Sequence, residues 1–161
     1  MPASPRDALE MASEYFQSQF GAVDRWLKLV DVSLAEQKAD QEWSKTAAFN
    51  LHQAAETAYA CFLLVRTLYF PRSHNIKFLR SLAEDNEPRL IDAWPRATKL
   101  DRRRFELLKR AYVEARYSAS YEVSREDLDA LAGCVRRLRD LVEAVSRERL
   151  EELREAAGSN N

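Results

Sequence analysis

The sequence contains little of what a β-rich or disulfide-bonded protein needs. Its 161 residues include only 3 Gly, 5 Pro and 2 Cys. So few turn-forming residues argue against a β-sandwich or barrel, which requires many tight turns. Cys61 and Cys134 both lie in apolar helical patterns, so we expect buried, unpaired thiols in a reducing compartment. Two Cys and two His far apart in sequence also argue against a zinc site, and we expect neither a metal nor a cofactor.

Long hydrophobic runs and an excess of one charge are also missing. No stretch approaches the roughly 18 uninterrupted apolar residues of a membrane span, and the opening residues MPASP do not form a signal peptide. The chain is 46% hydrophobic with a formal net charge of −1, which excludes a disordered protein. We therefore expect a folded cytoplasmic protein that does not enter a membrane.

Apolar residues recur every three or four positions in four long segments, which is the spacing of an α-helix. The segments are 7–34, 41–70, 99–117 and 124–157. Gly21 allows a break in the first segment, and Pro71 ends the second. Shorter helical patterns begin at Ile76 and at Pro88. The pattern predicts an all-α, antiparallel up-down bundle of four long helices plus one or two short ones.

We expect the bundle to be a single domain over residues 1–161, with its core between about 7 and 157 and a flexible tail at 158–161. The segment 41–70 is apolar around most of its circumference, which predicts a central core helix. The core should be centred on five residues of that helix: Leu51, Ala55, Ala58, Phe62 and Val65.

A polar seam interrupts this apolar helix. His52 and Glu56 are four residues apart and therefore share a face. Because Glu56 follows Ala54 and Ala55, its carboxylate should lie near the core and need a partner, most simply an Arg from a neighbouring helix. Two interpretations stay open: a structural ion pair, or an acid that holds a functional Arg in place.

The strongest charge signal lies between residues 96 and 116, where the sequence contains eight Lys and Arg but only three Asp and Glu. Such a basic face suits partners that carry phosphate, including nucleotides and RNA. The simpler interpretation, favoured by composition, is a solvated helix face with ion pairs. The residues expected to form the basic face are Lys99, Arg102, Arg103 and Arg110.

The end of the third long helix gathers several polar side chains in six residues. Arg116, two tyrosines and two serines follow one another there, and the last carbonyls of the helix are also free. This cluster suits a phosphate or a stacked base. It is also typical of an ordinary capped helix end whose tyrosines pack on the bundle. The sequence has no Gly-rich phosphate loop, nucleophile elbow or helical His-Glu-x-x-His.

Three motifs occur in a fixed order before the long last helix. They are FNLHQAAE at 49–56, LYFPRSHNIKFL at 68–79 and ARYS at 115–118. In this order they resemble a HEPN domain, the helical family named for higher eukaryotes and prokaryotes nucleotide-binding. The resemblance spans residues 43 to 150. It implies a four- or five-helix bundle, usually a homodimer, that occurs in toxin–antitoxin and RNA-defence systems, often beside a minimal nucleotidyltransferase.

Catalytic HEPN proteins are metal-independent ribonucleases with an Arg-x4–6-His motif. Counted from Arg116, the corresponding positions are Tyr121, Glu122 and Val123, and none is His. Both histidines, His52 and His74, precede Arg116. The resemblance therefore implies a protein that lacks the general acid/base of the family mechanism.

Three functions stay open at this point. The first is a non-catalytic module that binds nucleotide or RNA phosphate and acts with a nucleotidyltransferase. The second is a ribonuclease toxin with a variant site made of Arg116, Tyr121 and His74. The third is a dimeric scaffold without a ligand.

For the module, we expect Arg116 to be held by Glu56 and flanked by Tyr117 and Tyr121 at a shallow pocket. Ser120 and His52 complete the expected ligand site. A homodimer is expected from the resemblance and from large apolar residues that a short bundle does not readily hide, namely Trp26, Trp43, Tyr69, Phe70 and Trp94.

Overall fold

The protein is a helical bundle. A computed structural model describes residues 2–159, and that part of the chain contains five α-helices, one 3-10 helix and no strand. The α-helices are α1 (Pro5–Glu36), α2 (Trp43–Thr67), α3 (Ile76–Asn86), α4 (Lys99–Tyr117) and α5 (Arg125–Ser159), and the 3-10 helix is Pro88–Ala93. The predicted fold class is therefore confirmed.

Helix α1 is continuous and slightly longer than the sequence predicted. It begins at Pro5, where the Ser4 hydroxyl accepts a hydrogen bond from the Asp7 backbone N–H at 3.1 Å. Proline suits this position because its missing N–H has no helical partner to lose. Gly21 lies inside the helix, so the break that the sequence allowed does not occur.

Helix α2 is shorter than predicted at both ends. It begins at Trp43, because Asp40 caps the preceding turn by accepting from the Glu42 N–H at 3.0 Å. It ends at Thr67, because Leu68 adopts the left-handed conformation with φ 61° and donates its N–H to the Leu64 carbonyl at 3.0 Å. The prediction that Pro71 ends the helix was wrong, since this cap acts three residues earlier.

The starts of α4 and α5 follow their capping residues. Thr98 and Asp101 form a reciprocal capping box at α4, as hydroxyl and carboxylate each accept from the other residue's N–H. At α5 the Asp127 N–H donates to the Ser124 hydroxyl at 3.0 Å, which confirms the predicted start. Helix α5 extends to Ser159, so Gly158 and Ser159 of the predicted tail are helical, and 160–161 lie outside the described residues.

Helix α2 is the centre of the bundle and packs against α1, α4 and α5. The five predicted core residues of this helix are all buried. Cys61 is buried and unpaired, whereas Cys134 is unpaired but only half-buried. Burial raises the pKa of the Cys61 thiol to about 12, so this sulfur stays protonated. None of the helices in the described chain is long and apolar enough to cross a membrane.

The large apolar residues are better covered than the sequence suggested. Trp94 is buried, packs edge-on against Phe105 at 4.9 Å and donates its indole N–H to the Tyr59 hydroxyl at 2.7 Å. The expectation that Trp94 would be left uncovered was therefore wrong. Trp26, Trp43 and Phe70 are half-buried, while Tyr69 remains 66% exposed.

We expect the substitution Ala58→Asp to unfold the bundle. Ala58 is fully buried on the central helix, and an unpaired buried carboxylate costs about 3–5 kcal/mol. Chemical denaturation measures this loss. The control is Ala35→Asp, which places the same charge at an exposed position of α1 and should cost no more than about 1 kcal/mol. Equal stability of the two variants would contradict the placement of the core.

Candidate functional site

Arg116 lies in the last turn of α4 and is held by the residue one turn before it. Its Nε and Nη2 both donate to the Tyr112 carbonyl, at 2.9 and 2.7 Å. The centre of the guanidinium also lies 4.8–4.9 Å from three aromatic rings, those of Phe49, Tyr112 and Tyr117. Within residues 2–159 no carboxylate pairs with this cation, and Nη1 has no hydrogen-bond partner. One edge of the guanidinium is therefore fixed, and the other can accept a ligand.

Glu56 does not hold Arg116, so the predicted ion pair between them was wrong. The Glu56 carboxylate instead accepts from Nδ1 of His74 at 2.7 Å. The link between α2 and α3 places His74 beside this face of α2. The His74 ring is therefore the donor that the Glu56 carboxylate contacts. Burial raises the pKa of Glu56, while the hydrogen bond from His74 opposes that rise.

His52 is fully buried. Its Nε2 lies 3.0 Å from the His74 carbonyl oxygen. Because a carbonyl only accepts, Nε2 carries the proton and donates it there. Burial lowers the pKa of His52 to about 4, so the ring is neutral at physiological pH. The expectation that His52 contacts a ligand was wrong, because its side chain has no exposed surface and instead fixes the backbone of His74.

Tyr112 joins the two halves of the site. The His74 ring stacks on it with centroids 4.2 Å apart and planes 14° apart, and the Phe49 ring lies 6.2 Å away at 22°. Sequence reasoning missed Tyr112 as a site residue. The available signal was its position four residues before Arg116, which places both side chains on one face of α4.

The tyrosines that follow Arg116 have different environments. Tyr121 is buried, and its hydroxyl donates to the Leu107 carbonyl at 2.7 Å. The ring therefore packs on the bundle, and the expectation that Tyr121 flanks Arg116 was wrong. Burial also raises the pKa of this phenol. Tyr117 is 75% exposed beside Arg116, as predicted. Ser120 is exposed, with its hydroxyl 2.9 Å from that of Ser118.

Two of the four residues of the predicted basic face are neutralised by ion pairs. Arg103 pairs with Asp127 at 2.9 Å, and Arg110 pairs with Glu114 at 2.7 Å. Arg102 donates to the backbone carbonyls of residues 96 and 97, and Lys99 is exposed. The interpretation as a solvated face with ion pairs is therefore correct for Arg103 and Arg110.

A shallow surface cavity of about 380 Å³ lies beside the stacked rings. Its lining includes His74, Tyr112, Val113 and Lys109. Arg116 does not line this cavity, although it contacts the same Tyr112 ring. In the described part of the chain no three His, Cys, Asp or Glu residues come together as a metal site.

Most of the chain matches a known protein family. The family described as "HEPN domain" matches residues 29–145. The matched segment runs from the last two turns of α1 through α2, α3, the 3-10 helix and α4 into α5, and so includes Glu56, His74 and Arg116. No curated protein shows significant similarity to the chain.

We expect His52 to destabilise the protein in mild acid. Below its unfolded pKa of 6.5, His52 binds a proton in the unfolded chain, but in the folded protein it does so only at about pH 4. The free energy of unfolding should therefore fall by about 3 kcal/mol between pH 6.5 and 4 through this residue.

Denaturation of the wild type and of His52→Gln across this pH range measures the effect. Gln can still donate to the His74 carbonyl but does not titrate. Glu56 is present in both proteins, so its contribution to the pH dependence cancels in the comparison. The acid-induced loss should be smaller in the variant. An equal loss in both proteins would contradict the neutral, buried histidine.

Proposed function

The chain belongs to the HEPN family, and from that premise we propose that it is a non-catalytic module that binds nucleotide or RNA phosphate through Arg116. The observation that supports this function is the set of contacts that the Arg116 guanidinium forms. It is held by the Tyr112 carbonyl on one edge and surrounded by three rings, yet it has no carboxylate partner in the described chain.

The chemistry of this arrangement suits phosphate. A guanidinium offers parallel N–H donors that match two phosphate oxygens. Because Arg116 is already fixed on one side, little side-chain entropy is lost when the open edge binds. The exposed ring of Tyr117 beside it offers a surface on which a base can stack.

A binding role fits better than cleavage by the family mechanism. The position five residues after Arg116 is Tyr121, a buried phenol whose pKa is raised by burial. Such a group cannot accept a proton near neutral pH. No histidine follows Arg116 in the sequence.

One contact favours a second candidate, a ribonuclease with a variant site. Glu56 holds Nδ1 of His74, and the His74 side chain remains 55% exposed. An imidazole oriented by a carboxylate can shuttle a proton through its other nitrogen. His74 and Arg116 also contact the same Tyr112 ring. In this candidate His74, and not Tyr121, is the general acid/base.

We further propose a homodimer that acts in the cytoplasm beside a nucleotidyltransferase, in a toxin–antitoxin or defence system. The nucleotidyltransferase and the biological setting rest on family membership alone. The dimer has additional support from exposed apolar side chains, including Tyr69, Phe78, Val113 and Tyr117. Sedimentation at micromolar concentration should give twice the 18.6 kDa chain mass, and a monomer at that concentration would contradict the dimer.

Titration of ATP and of a short RNA into wild type and Arg116→Ala tests the binding function. We expect the substitution to weaken binding about 10- to 100-fold, because it removes charge-assisted hydrogen bonds to phosphate. The control is Arg110→Ala, which removes the same charge from the same helix. Because Arg110 is already paired with Glu114, its loss should change the affinity little.

The same samples separate the candidate functions. RNA binding that is lost in Arg116→Ala, together with the weakened ATP binding and with no RNA breakdown by the wild type, supports the module. RNA breakdown that disappears in both Arg116→Ala and His74→Ala would instead establish the ribonuclease. The absence of binding and of cleavage by the wild type would contradict both candidates and leave the scaffold.

A further inference from the structure

A second basic cleft lies between α3 and α4, apart from the Arg116 site. Its volume is about 260 Å³. Four cations and two carboxylates contribute to its lining, namely Lys77, Arg80, Arg96, Arg102, Asp101 and Glu106. None of these residues lines the cavity beside His74. Along α4, the cleft residue Phe105 is seven residues from Tyr112, a separation of about 10 Å along the helix axis.

The two carboxylates of the cleft are already engaged elsewhere. Asp101 accepts the Thr98 N–H at 3.2 Å in the capping box of α4. Glu106 pairs with Lys109 at 3.2 Å. Within the described residues neither acid lies within ion-pair distance of a cation of the cleft, although the charge of Glu106 acts on Arg80 from farther away.

One of the four cations of the cleft is neutralised by an ion pair. Arg96 forms a two-point ion pair with Glu84, at 2.9 and 2.7 Å. The remaining three, Lys77, Arg80 and Arg102, have no carboxylate partner within residues 2–159. With Glu84 included, four cations and three carboxylates leave the cleft with a net charge of +1.

Arg80 is the most informative of these three. Its guanidinium lies 3.8 Å above the Phe105 ring and is half-buried, yet it forms no hydrogen bond or ion pair in the described chain. Burial and the nearby Arg96 lower the pKa of Arg80, and the carboxylates of Glu84 and Glu106 offset this only in part. A partly desolvated charge beside a like charge is costly unless an anion accompanies it. The Phe105 ring lines the same cleft and holds the Arg80 guanidinium at its wall.

We propose that this cleft binds a terminal phosphate group, such as inorganic phosphate or the end of a nucleotide phosphate chain. Donors reach it from α3 through Lys77 and Arg80 and from α4 through Arg102. Donors from two helices suit a terminal phosphate, which has three free oxygens, better than a bridging phosphodiester, which has two. The proposal does not depend on the Arg116 site, because the two sites share no residue.

Calorimetric titration of inorganic phosphate and of pyrophosphate, in a chloride buffer of low ionic strength, tests the cleft. We expect both ligands to bind the wild type. Arg80→Met, which keeps an apolar stem over Phe105, and Arg102→Gln, at an exposed position, should each weaken binding by about tenfold or more. Thermal melting shows whether each variant is folded.

Two controls make the result specific. Arg154→Gln removes the same charge from α5, where Arg154 pairs with Glu151, and should leave the affinity unchanged. The Arg80→Met and Arg102→Gln substitutions are repeated in the Arg116→Ala background, where phosphate bound at the proposed nucleotide site is removed, and they should weaken binding there by the same factor. No binding of phosphate or pyrophosphate by the wild type would overturn the proposal, as would equal weakening in Arg154→Gln.

A third ligand distinguishes the sources of phosphate. ATP should compete with pyrophosphate for the cleft in Arg116→Ala, where the other site is removed. A short RNA without terminal phosphates should not compete. Displacement of pyrophosphate by that RNA, but not by ATP, would overturn the assignment to a terminal phosphate.

Discussion

The packing of α4 on α2 is the constraint on which the candidate site depends. The residues of α4 that face the core include Ala111 and Ala115, and α2 contributes a run of buried alanines. Small side chains let two helices approach closely. At the edge of this contact the larger Phe49 and Tyr112 rings meet. Arg116 is then fixed by the carbonyl and ring of Tyr112, so helix packing sets the position of the one cation that the proposed function needs.

The link between α2 and α3 supplies the other half of the site. The neutral, buried His52 donates to the His74 carbonyl, and Glu56 accepts from the His74 ring. Two side chains one turn apart on α2 thus fix both the backbone and the side chain of a single loop residue. The polar seam of the central helix is explained by this role. It orients His74 against Tyr112, and it does not balance the charge of Arg116.

Local signals predicted the helices better than they predicted the contacts between them. The starts of α4 and α5 could be predicted because capping residues define them in sequence. The end of α2 could not, because no local rule favours a left-handed Leu68. The partner of Glu56 depends on the path of a loop, and the burial of Tyr121 depends on the carbonyl of Leu107. Both are tertiary contacts that residue spacing does not encode.

The central claim is that Arg116 acts as a fixed guanidinium and not merely as a positive charge. The most direct measurement is the affinity of Arg116→Lys for ATP, compared with wild type and Arg116→Ala. Lysine keeps the charge but loses the planar fork that binds the Tyr112 carbonyl on one edge and phosphate on the other. The account predicts that Arg116→Lys binds almost as weakly as Arg116→Ala. Wild-type affinity in Arg116→Lys would contradict it.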